Sequence, residues 1–120
     1  EDLGKEVKVY ELGQLAEAIK DTDLLVNATS VGMSPASEES PVPSPLLSKV
    51  PAVFDIVYNP IETRLLREAG QAGARVIGGV DMLAWQGALA FKKWTGQEAP
   101  LDLMRGEAVK MLHLPLAGAD

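Results

Sequence analysis

The sequence predicts an α/β fold, with a mostly parallel sheet of three to four strands, flanking helices and two helices at the carboxyl end. Short apolar runs recur along the chain and are separated by segments whose apolar residues have helical spacing. The runs show little alternation of apolar and polar residues, which is typical of strands covered on both faces. The length of 120 residues, 47% of them hydrophobic, predicts a single domain with its own core.

The first half of the chain contains two predicted strands. Residues 7–10 are a short strand candidate, and residues 12–20 follow with the apolar spacing of a helix. Residues 24–28 form a continuous apolar run, which predicts a buried parallel strand. Residues 34–51 hold five of the eight prolines and predict a loop, with one helical turn near Leu46.

The second half is predicted to continue as strand, helix, strand, helix and helix, over residues 52–58, 63–72, 75–77, 82–94 and 101–114. Gly73 is a candidate for the end of the first of these helices, and Asp81 is the expected cap of the second. In open α/β sheets, ligands bind beyond the carboxyl ends of the strands. We therefore expect a site where residues 27–30, 58–59 and 78–79 follow their strands.

Composition excludes several classes of partner. The chain has 11 Lys and Arg against 17 Asp and Glu, a formal charge of −6, which argues against binding to nucleic acid or to an anionic membrane. The absence of cysteine excludes disulfides and thiolate metal sites, and it fits the cytoplasm that we expect as the location. No apolar run is long enough to span a bilayer.

Polar side chains follow two of the predicted strands. Asn27, Thr29 and Ser30 either face a ligand or simply make the turn that ends a strand. Tyr58 either offers its hydroxyl to a polar ligand or packs on the loop. Asp55 lies inside an apolar strand, where a buried carboxylate needs a partner, and we favour a structural role for it.

Two further features lie at the start of the helix over residues 82–94 and within it. Gly78 and Gly79 allow close approach of a flat ligand, or make an ordinary strand-to-helix turn. Gln86 is a polar residue in a long apolar stretch and is expected to be a buried amide, bonded either to a polyol ligand or to backbone. No metal site and no catalytic pair is predicted around the single histidine, His113.

Three blocks of sequence together resemble the shikimate dehydrogenase family. They read NATSVGM over residues 27–33, DIVYNPIET over 55–63 and GVDMLAWQGA over 79–88, and Phe91 and the WTG of residues 94–96 extend the third. Their order and spacing also fit, and the resemblance covers nearly the whole chain. It implies a partial Rossmann-like fold, in which residues 1–120 are the carboxyl-terminal portion of the cofactor-binding domain. The family's amino-terminal substrate domain would then be absent, as would its glycine-rich loop, since no two glycines here are separated by one residue.

The resemblance also implies a function and a set of site residues. The family reduces 3-dehydroshikimate to shikimate with NADPH, in aromatic amino-acid biosynthesis. Its catalytic lysine and aspartate lie in the absent half, so no catalytic residue is expected here, and we expect the chain alone to be inactive and to bind NADP only weakly. Tyr58 and Gln86 match positions that bind the substrate, shikimate or 3-dehydroshikimate. Positions that match the cofactor site are Asn27, Thr29, Ser30, Ile56, Gly79 and Met82.

Other interpretations remain open at this point. The chain also fits a quinate/shikimate dehydrogenase, which uses NAD in some cases, or the terminal part of a fused polypeptide of the aromatic pathway. A non-catalytic α/β binding module is a different class, and a receiver-like domain would need an acidic cluster that Asp55 alone does not provide. Without the central strands of the sheet, we expect an exposed edge and self-association through it, or a rearranged first strand.

Overall fold

A computed structural model describes residues 4–113, which form a small parallel sheet, one helix packed on it and a pair of helices that follow. The elements, in chain order, are a 3₁₀ turn (Leu12–Gln14), α1 (Leu15–Ala18), β1 (Leu25–Asn27), a 3₁₀ helix (Ser44–Lys49), β2 (Ala52–Asp55), α2 (Arg64–Gln71), β3 (Arg75–Ile77), α3 (Gly79–Thr95) and α4 (Leu101–His113). The predicted α/β class is confirmed.

The three strands are parallel and lie in the order β1-β2-β3. In this register Leu25 and Val76 both pair with Val53, whereas Val26 and Ile77 pair with Phe54 on the next row. Because all strands run the same way, their carboxyl ends meet at one edge of the sheet. The sequence motifs that follow β1 and β2 are thereby brought side by side.

Helix α2 covers one face of this sheet. It begins after Thr63, whose hydroxyl accepts a hydrogen bond from the backbone N–H of Leu66 and so satisfies one of the free donors of the first turn. A side chain such as Leu65 contributes about 1.5–3 kcal/mol by leaving water. The core that α2 forms with β2 and the 3₁₀ helix consists of Ile19, Val42, Leu47, Val50, Val53, Leu65, Leu66 and Ala69.

The opposite face of the sheet is open. Val26, Phe54 and Ile77 share this face, since neighbouring residues of a strand point to opposite sides. Val26 is 45% exposed and Ile77 36% exposed, while Phe54 is half-buried. A parallel sheet is normally covered on both faces, so this apolar row is a surface that the described residues leave uncovered.

Helices α3 and α4 form an antiparallel pair joined by a short loop. Gly96 ends α3 with φ +72°, the left-handed conformation that glycine adopts without strain. We expected α3 to begin after an Asp81 cap, and this is wrong. The helix begins at Gly79, and Asp81 lies in its first turn, where its carboxylate forms an ion pair with Arg105 of α4 at 2.5 Å.

Two other boundaries differ from the sequence prediction. The strand expected at residues 7–10 is not formed: these residues pair with no strand in the described part of the chain, and Val7 and Val9 are 76% and 90% exposed. The strand expected over residues 52–58 stops at Asp55. There the Asp55 carboxylate accepts a bond from the N–H of Val57 at 3.0 Å and turns the chain out of the ladder.

Candidate functional site

A cleft of about 460 Å³ opens at the carboxyl ends of β1 and β2. It is bounded by the segments that leave these two strands, so it lies where ligands bind in open α/β sheets. Its walls combine apolar surface with hydroxyls and one amide. The lining residues are Ala28, Thr29, Ser30, Met33, Ser34, Ile56, Val57, Tyr58 and Asn59.

The turn after β1 is held by the side chain of Asn27. Its carbonyl oxygen accepts both the N–H of Thr29, at 3.1 Å, and the hydroxyl of Thr29, at 2.6 Å. Its amide nitrogen donates to the backbone oxygen of Val31 at 3.2 Å. Asn27 is only 5% exposed and does not line the cleft. Its buried side chain holds the turn by hydrogen bonds, while Thr29 and Ser30 line the cleft.

Asp55 connects the two walls of the cleft from beneath. One carboxylate oxygen accepts the Asn27 amide at 3.1 Å and the N–H of Val57 at 3.0 Å, and the other accepts the hydroxyl of Thr63 at 2.7 Å. Asp55 and Thr63 are fully buried. The structural role favoured from the sequence agrees with these bonds, since each carboxylate oxygen has a donor within the protein.

A second connection crosses the mouth of the cleft. The N–H of Ser34 donates to the backbone oxygen of Asn59 at 2.9 Å, and the Ser34 hydroxyl lies 3.4 Å from the Asn59 side-chain oxygen. The peptide bonds Ser34–Pro35 and Asn59–Pro60 are both cis. Asn59 lies in the strand-end segment where the sequence predicted a site, whereas Ser34 was not singled out, although the proline that follows it was a signal that could have found it.

Two hydroxyl groups in the cleft are available to a ligand. The Tyr58 side chain is 41% exposed, and its hydroxyl has no hydrogen-bond partner within residues 4–113; the same holds for the Ser30 hydroxyl. A hydroxyl both donates and accepts, so the pair suits a ligand that carries its own hydroxyls or a carboxamide. Ile56 adds apolar surface to the same cleft.

The start of α3 lies behind this surface. Gly79 is buried, and a Cβ at this position would lie 2.7 Å from the backbone oxygen of Val57 and closer still to that of Ile56. Only glycine therefore lets the helix approach the end of β2 so closely. Met82, in the first turns of the same helix, is half-buried and does not line the cleft.

Gln86 lies further along α3, outside the cleft. We expected a buried amide that must find a partner, and this is wrong: Gln86 is exposed and has no hydrogen bond within the described residues. The long apolar stretch around it forms only a narrow buried stripe of Val80, Ala84 and Ala88, four residues apart, and Trp85 and Leu89 are also exposed. Of the eight predicted site residues, the cleft brings together Thr29, Ser30, Ile56 and Tyr58.

The residues that line the cleft are suited to binding a ligand and not to acid–base catalysis. None of its lining residues is a lysine, histidine or carboxylate. Among residues 4–113, no three His, Cys, Asp or Glu side chains come together as metal ligands. Nor is any helix in that range both long and apolar enough to cross a membrane.

Comparison with known proteins finds that this chain is similar to shikimate dehydrogenases. The family model for the shikimate 5'-dehydrogenase C-terminal domain matches residues 79–108. A shikimate dehydrogenase (NADP(+)) of Methanosarcina mazei is 47% identical over 112 residues, which are 93% of this chain and 40% of that protein. In sequence, this chain matches the carboxyl-terminal part of the shikimate dehydrogenases.

Solved structures share the fold of this chain over part of their length. The shikimate 5-dehydrogenase of Thermus thermophilus, in complex with NADP(H) and shikimate, is 44% identical with a TM-score of 0.70, over 81% of this chain and 36% of that one. A quinate dehydrogenase from Corynebacterium glutamicum, in complex with NAD, is 34% identical with a TM-score of 0.73, over 83% and 35%. The chain therefore spans about two-fifths or less of the family members that it matches.

Proposed function

We propose that residues 1–120 are the carboxyl-terminal portion of the cofactor-binding domain of an NADP-dependent shikimate dehydrogenase, which converts 3-dehydroshikimate to shikimate. One observation carries the proposal. The cleft is lined by Thr29, Ser30, Ile56 and Tyr58, which come from two separate family motifs, in a chain 44% identical to an enzyme that binds NADP(H) and shikimate.

The cleft fits the nicotinamide end of the cofactor. A flat ring with a carboxamide needs apolar surface and a few polar contacts, and the cleft offers Met33 and Ile56 beside the hydroxyl of Ser30. When bound, NADPH supplies the hydride for reduction of the substrate carbonyl. The chain's own residues hold the ring side of the site and keep water from it, as hydride transfer requires close, ordered reactants.

On the substrate side, Tyr58 carries the available hydroxyl, and we propose that it bonds to a hydroxyl of shikimate. Gln86 and Met82 lie on α3 outside the cleft, so they complete the site only when the substrate and the rest of the enzyme lie against that helix. Gly79 contributes by letting α3 approach the end of β2, and Asn27 by holding the Thr29–Ser30 turn.

Two functions must come from outside these residues. The cleft contains no acid or base suited to protonating the product alkoxide near neutral pH, and the sequence lacks the glycine-rich turn that cradles dinucleotide phosphates. We therefore propose that the chain works together with a substrate domain and a phosphate-binding loop, in the cytoplasm, and that alone it is inactive and binds NADP weakly.

A second candidate is the dehydrogenation of quinate with NAD. It is supported by the quinate dehydrogenase whose TM-score with this chain is 0.73. Quinate and shikimate are both ring polyols with a carboxylate, and a hydroxyl at Tyr58 suits either.

A chimeric enzyme tests the proposal. Residues of this chain would replace the matching 112 residues of the Methanosarcina mazei relative, and oxidation of NADPH by 3-dehydroshikimate would be followed by absorbance. We expect activity from the chimera and none from the 120-residue chain alone. A folded chimera without activity on shikimate, 3-dehydroshikimate or quinate, with either cofactor, would refute the proposed function.

The isolated chain provides a second test, by titration with NADP⁺ and with shikimate while tryptophan fluorescence is followed. Trp85, 56% exposed and adjacent to Gln86, is the expected reporter. We expect no saturable change at concentrations on the order of 1 mM, which corresponds to about 4 kcal/mol of binding free energy. Tight saturation by NADP⁺ would contradict the need for a separate phosphate-binding loop.

A further inference from the structure

Asp55 is an unexpected residue for the central strand of a parallel sheet, where it is the last residue of β2. Its neighbours in β2 are apolar, its register partner is Asn27, and it is fully buried. A buried carboxylate is costly, and replacing such a group by a well-packed apolar side chain is often neutral or stabilising. Stability of the sheet alone therefore gives no reason for a carboxylate at this position.

The donors to Asp55 give such a reason, because two of them hold the segments that leave β1 and β2 to line the cleft and the third is the cap of α2. Asn27 carries the Thr29–Ser30 turn, Val57 lies between Ile56 and Tyr58, and Thr63 ends the loop that follows Tyr58 and caps α2. The carboxylate is the one group in the described residues to which all three are bonded.

The bonds form a continuous path beneath the cleft floor. The Thr29 hydroxyl bonds to Asn27 at 2.6 Å, Asn27 bonds to Asp55 at 3.1 Å, and Asp55 accepts the N–H of Val57 at 3.0 Å, one residue before Tyr58. No buried side-chain polar atom in residues 4–113 lacks a partner. A fully satisfied buried network of this kind is rigid and specifies one arrangement of its members.

We propose that Asp55, anchored on its other side by Thr63, is a positioning residue that fixes the separation between the Thr29–Ser30 turn and Tyr58. Given the proposed function, this separation is the distance between the nicotinamide side and the substrate side of the site. Asp55 does not touch either ligand. It acts through Asn27 and Val57, and a misplacement of about 1 Å between reacting groups is enough to cost roughly a hundredfold in rate.

Two substitutions at Asp55 separate positioning from stability. Asp55→Val removes the carboxylate and leaves an apolar strand residue, whereas Asp55→Asn keeps the shape but cannot accept all three donors. The matched control is Val50→Ala, which creates a cavity in the core beneath α2, away from the cleft. Thr63→Ser keeps both the hydroxyl bond to Asp55 and the helix cap.

The first measurement is amide hydrogen exchange in the 120-residue chain. We expect Asp55→Val and Asp55→Asn to accelerate exchange at Thr29, Val31 and Val57 by about tenfold or more relative to amides of β3, since about 1.4 kcal/mol corresponds to a factor of ten. Val50→Ala should accelerate exchange to a similar extent at these three amides and at the amides of β3. Equal acceleration in all three variants would overturn the proposal.

The second measurement is kinetic, in the active chimera, under conditions in which each variant is folded. We expect kcat/KM to fall by about ten- to a hundredfold for Asp55→Val and Asp55→Asn, and by less than about twofold for Val50→Ala and Thr63→Ser. Unchanged kcat/KM for Asp55→Val in an active enzyme would overturn the positioning role. An unsubstituted chimera without activity would count against the proposed function alone, while the exchange result still decides whether Asp55 couples the two walls.

Discussion

The α-carbon of Gly79 faces the backbone oxygens of Ile56 and Val57, with no room for a side chain between them. This contact joins the start of α3 to the end of β2, directly behind the cleft. Because both sides of the contact are backbone, neither can move aside as a flexible side chain would.

We therefore expect Gly79→Ala to lower the free energy of unfolding by about 1–3 kcal/mol, the usual cost of overpacking a tight contact. Urea denaturation of the 120-residue chain measures it. The matched control is Gly106→Ala in the interior of α4, where a Cβ meets nothing within 4 Å. That change should stabilise the chain by about 0.5–1 kcal/mol, since alanine favours a helix over glycine. If Gly79→Ala and Gly106→Ala changed the free energy of unfolding equally, the close contact of Gly79 with Ile56 and Val57 would be disproved.

Thr63 has two roles at once, as cap of α2 and as donor to Asp55. Thr63→Val keeps the branched shape but removes both bonds, so we expect a loss of about 2–4 kcal/mol, from a lost cap and an unsatisfied buried carboxylate. Thr63→Ser should cost less than about 1 kcal/mol, because the hydroxyl remains. Thermal unfolding of both variants checks this, and a valine variant as stable as the serine variant would contradict it.

The ion pair between Asp81 and Arg105 links α3 to α4, but both side chains are well exposed, at 39% and 49%. Exposed pairs contribute little, so a double-mutant cycle with Asp81→Asn and Arg105→Gln should give a coupling of about 0.2–1 kcal/mol. The coupling should shrink as salt is raised to about 1 M. A coupling of several kcal/mol that is insensitive to salt would contradict this view.

The free edge of β1 and the open face of the sheet predict self-association of the 120-residue chain. We expect concentration-dependent oligomers by sedimentation velocity, and we expect Val26→Lys to suppress them, because a charge on an edge strand opposes strand pairing. Leu103→Lys is the control, since Leu103 is 62% exposed but lies on α4. A chain that stays monomeric at high concentration would show that the edge of β1 and the open face of the sheet do not drive self-association.

Tyr58 provides the direct test of substrate binding. In the active chimera, Tyr58→Phe should raise KM for 3-dehydroshikimate by about tenfold, which corresponds to loss of one hydrogen bond of about 1.4 kcal/mol. Stability should change little, because the Tyr58 hydroxyl has no partner within the described residues. Unchanged KM and kcat would exclude Tyr58 from substrate binding.

Sequence patterns predicted the parts of this fold that depend on local signals. The apolar runs at β1 and β3 and the apolar spacing of α2 mark elements whose residues decide their own conformation. The strand expected at residues 7–10 failed because a strand needs a neighbour, and nothing in four residues reveals whether one is present.

The sequence predicted those site residues whose position depends on the ends of strands. Thr29, Ser30, Ile56 and Tyr58 follow strands, and parallel pairing brings strand ends together whatever else the chain does. Gln86 was misjudged because an apolar stretch was assumed to be buried all round, whereas α3 buries only one narrow stripe. The network at Asp55 was not predictable in detail, since its three donors are set by tertiary contacts.

The unbroken course of α3 gives the Gly79 contact a mechanical consequence. The helix runs without interruption from Gly79 to Thr95, so it behaves as a lever whose pivot is the contact between Gly79 and the residues that follow β2. Gln86 stands about 10 Å along that lever. A tilt of about 10° at the pivot would swing Gln86 through nearly 2 Å, the difference between a hydrogen bond formed and one broken.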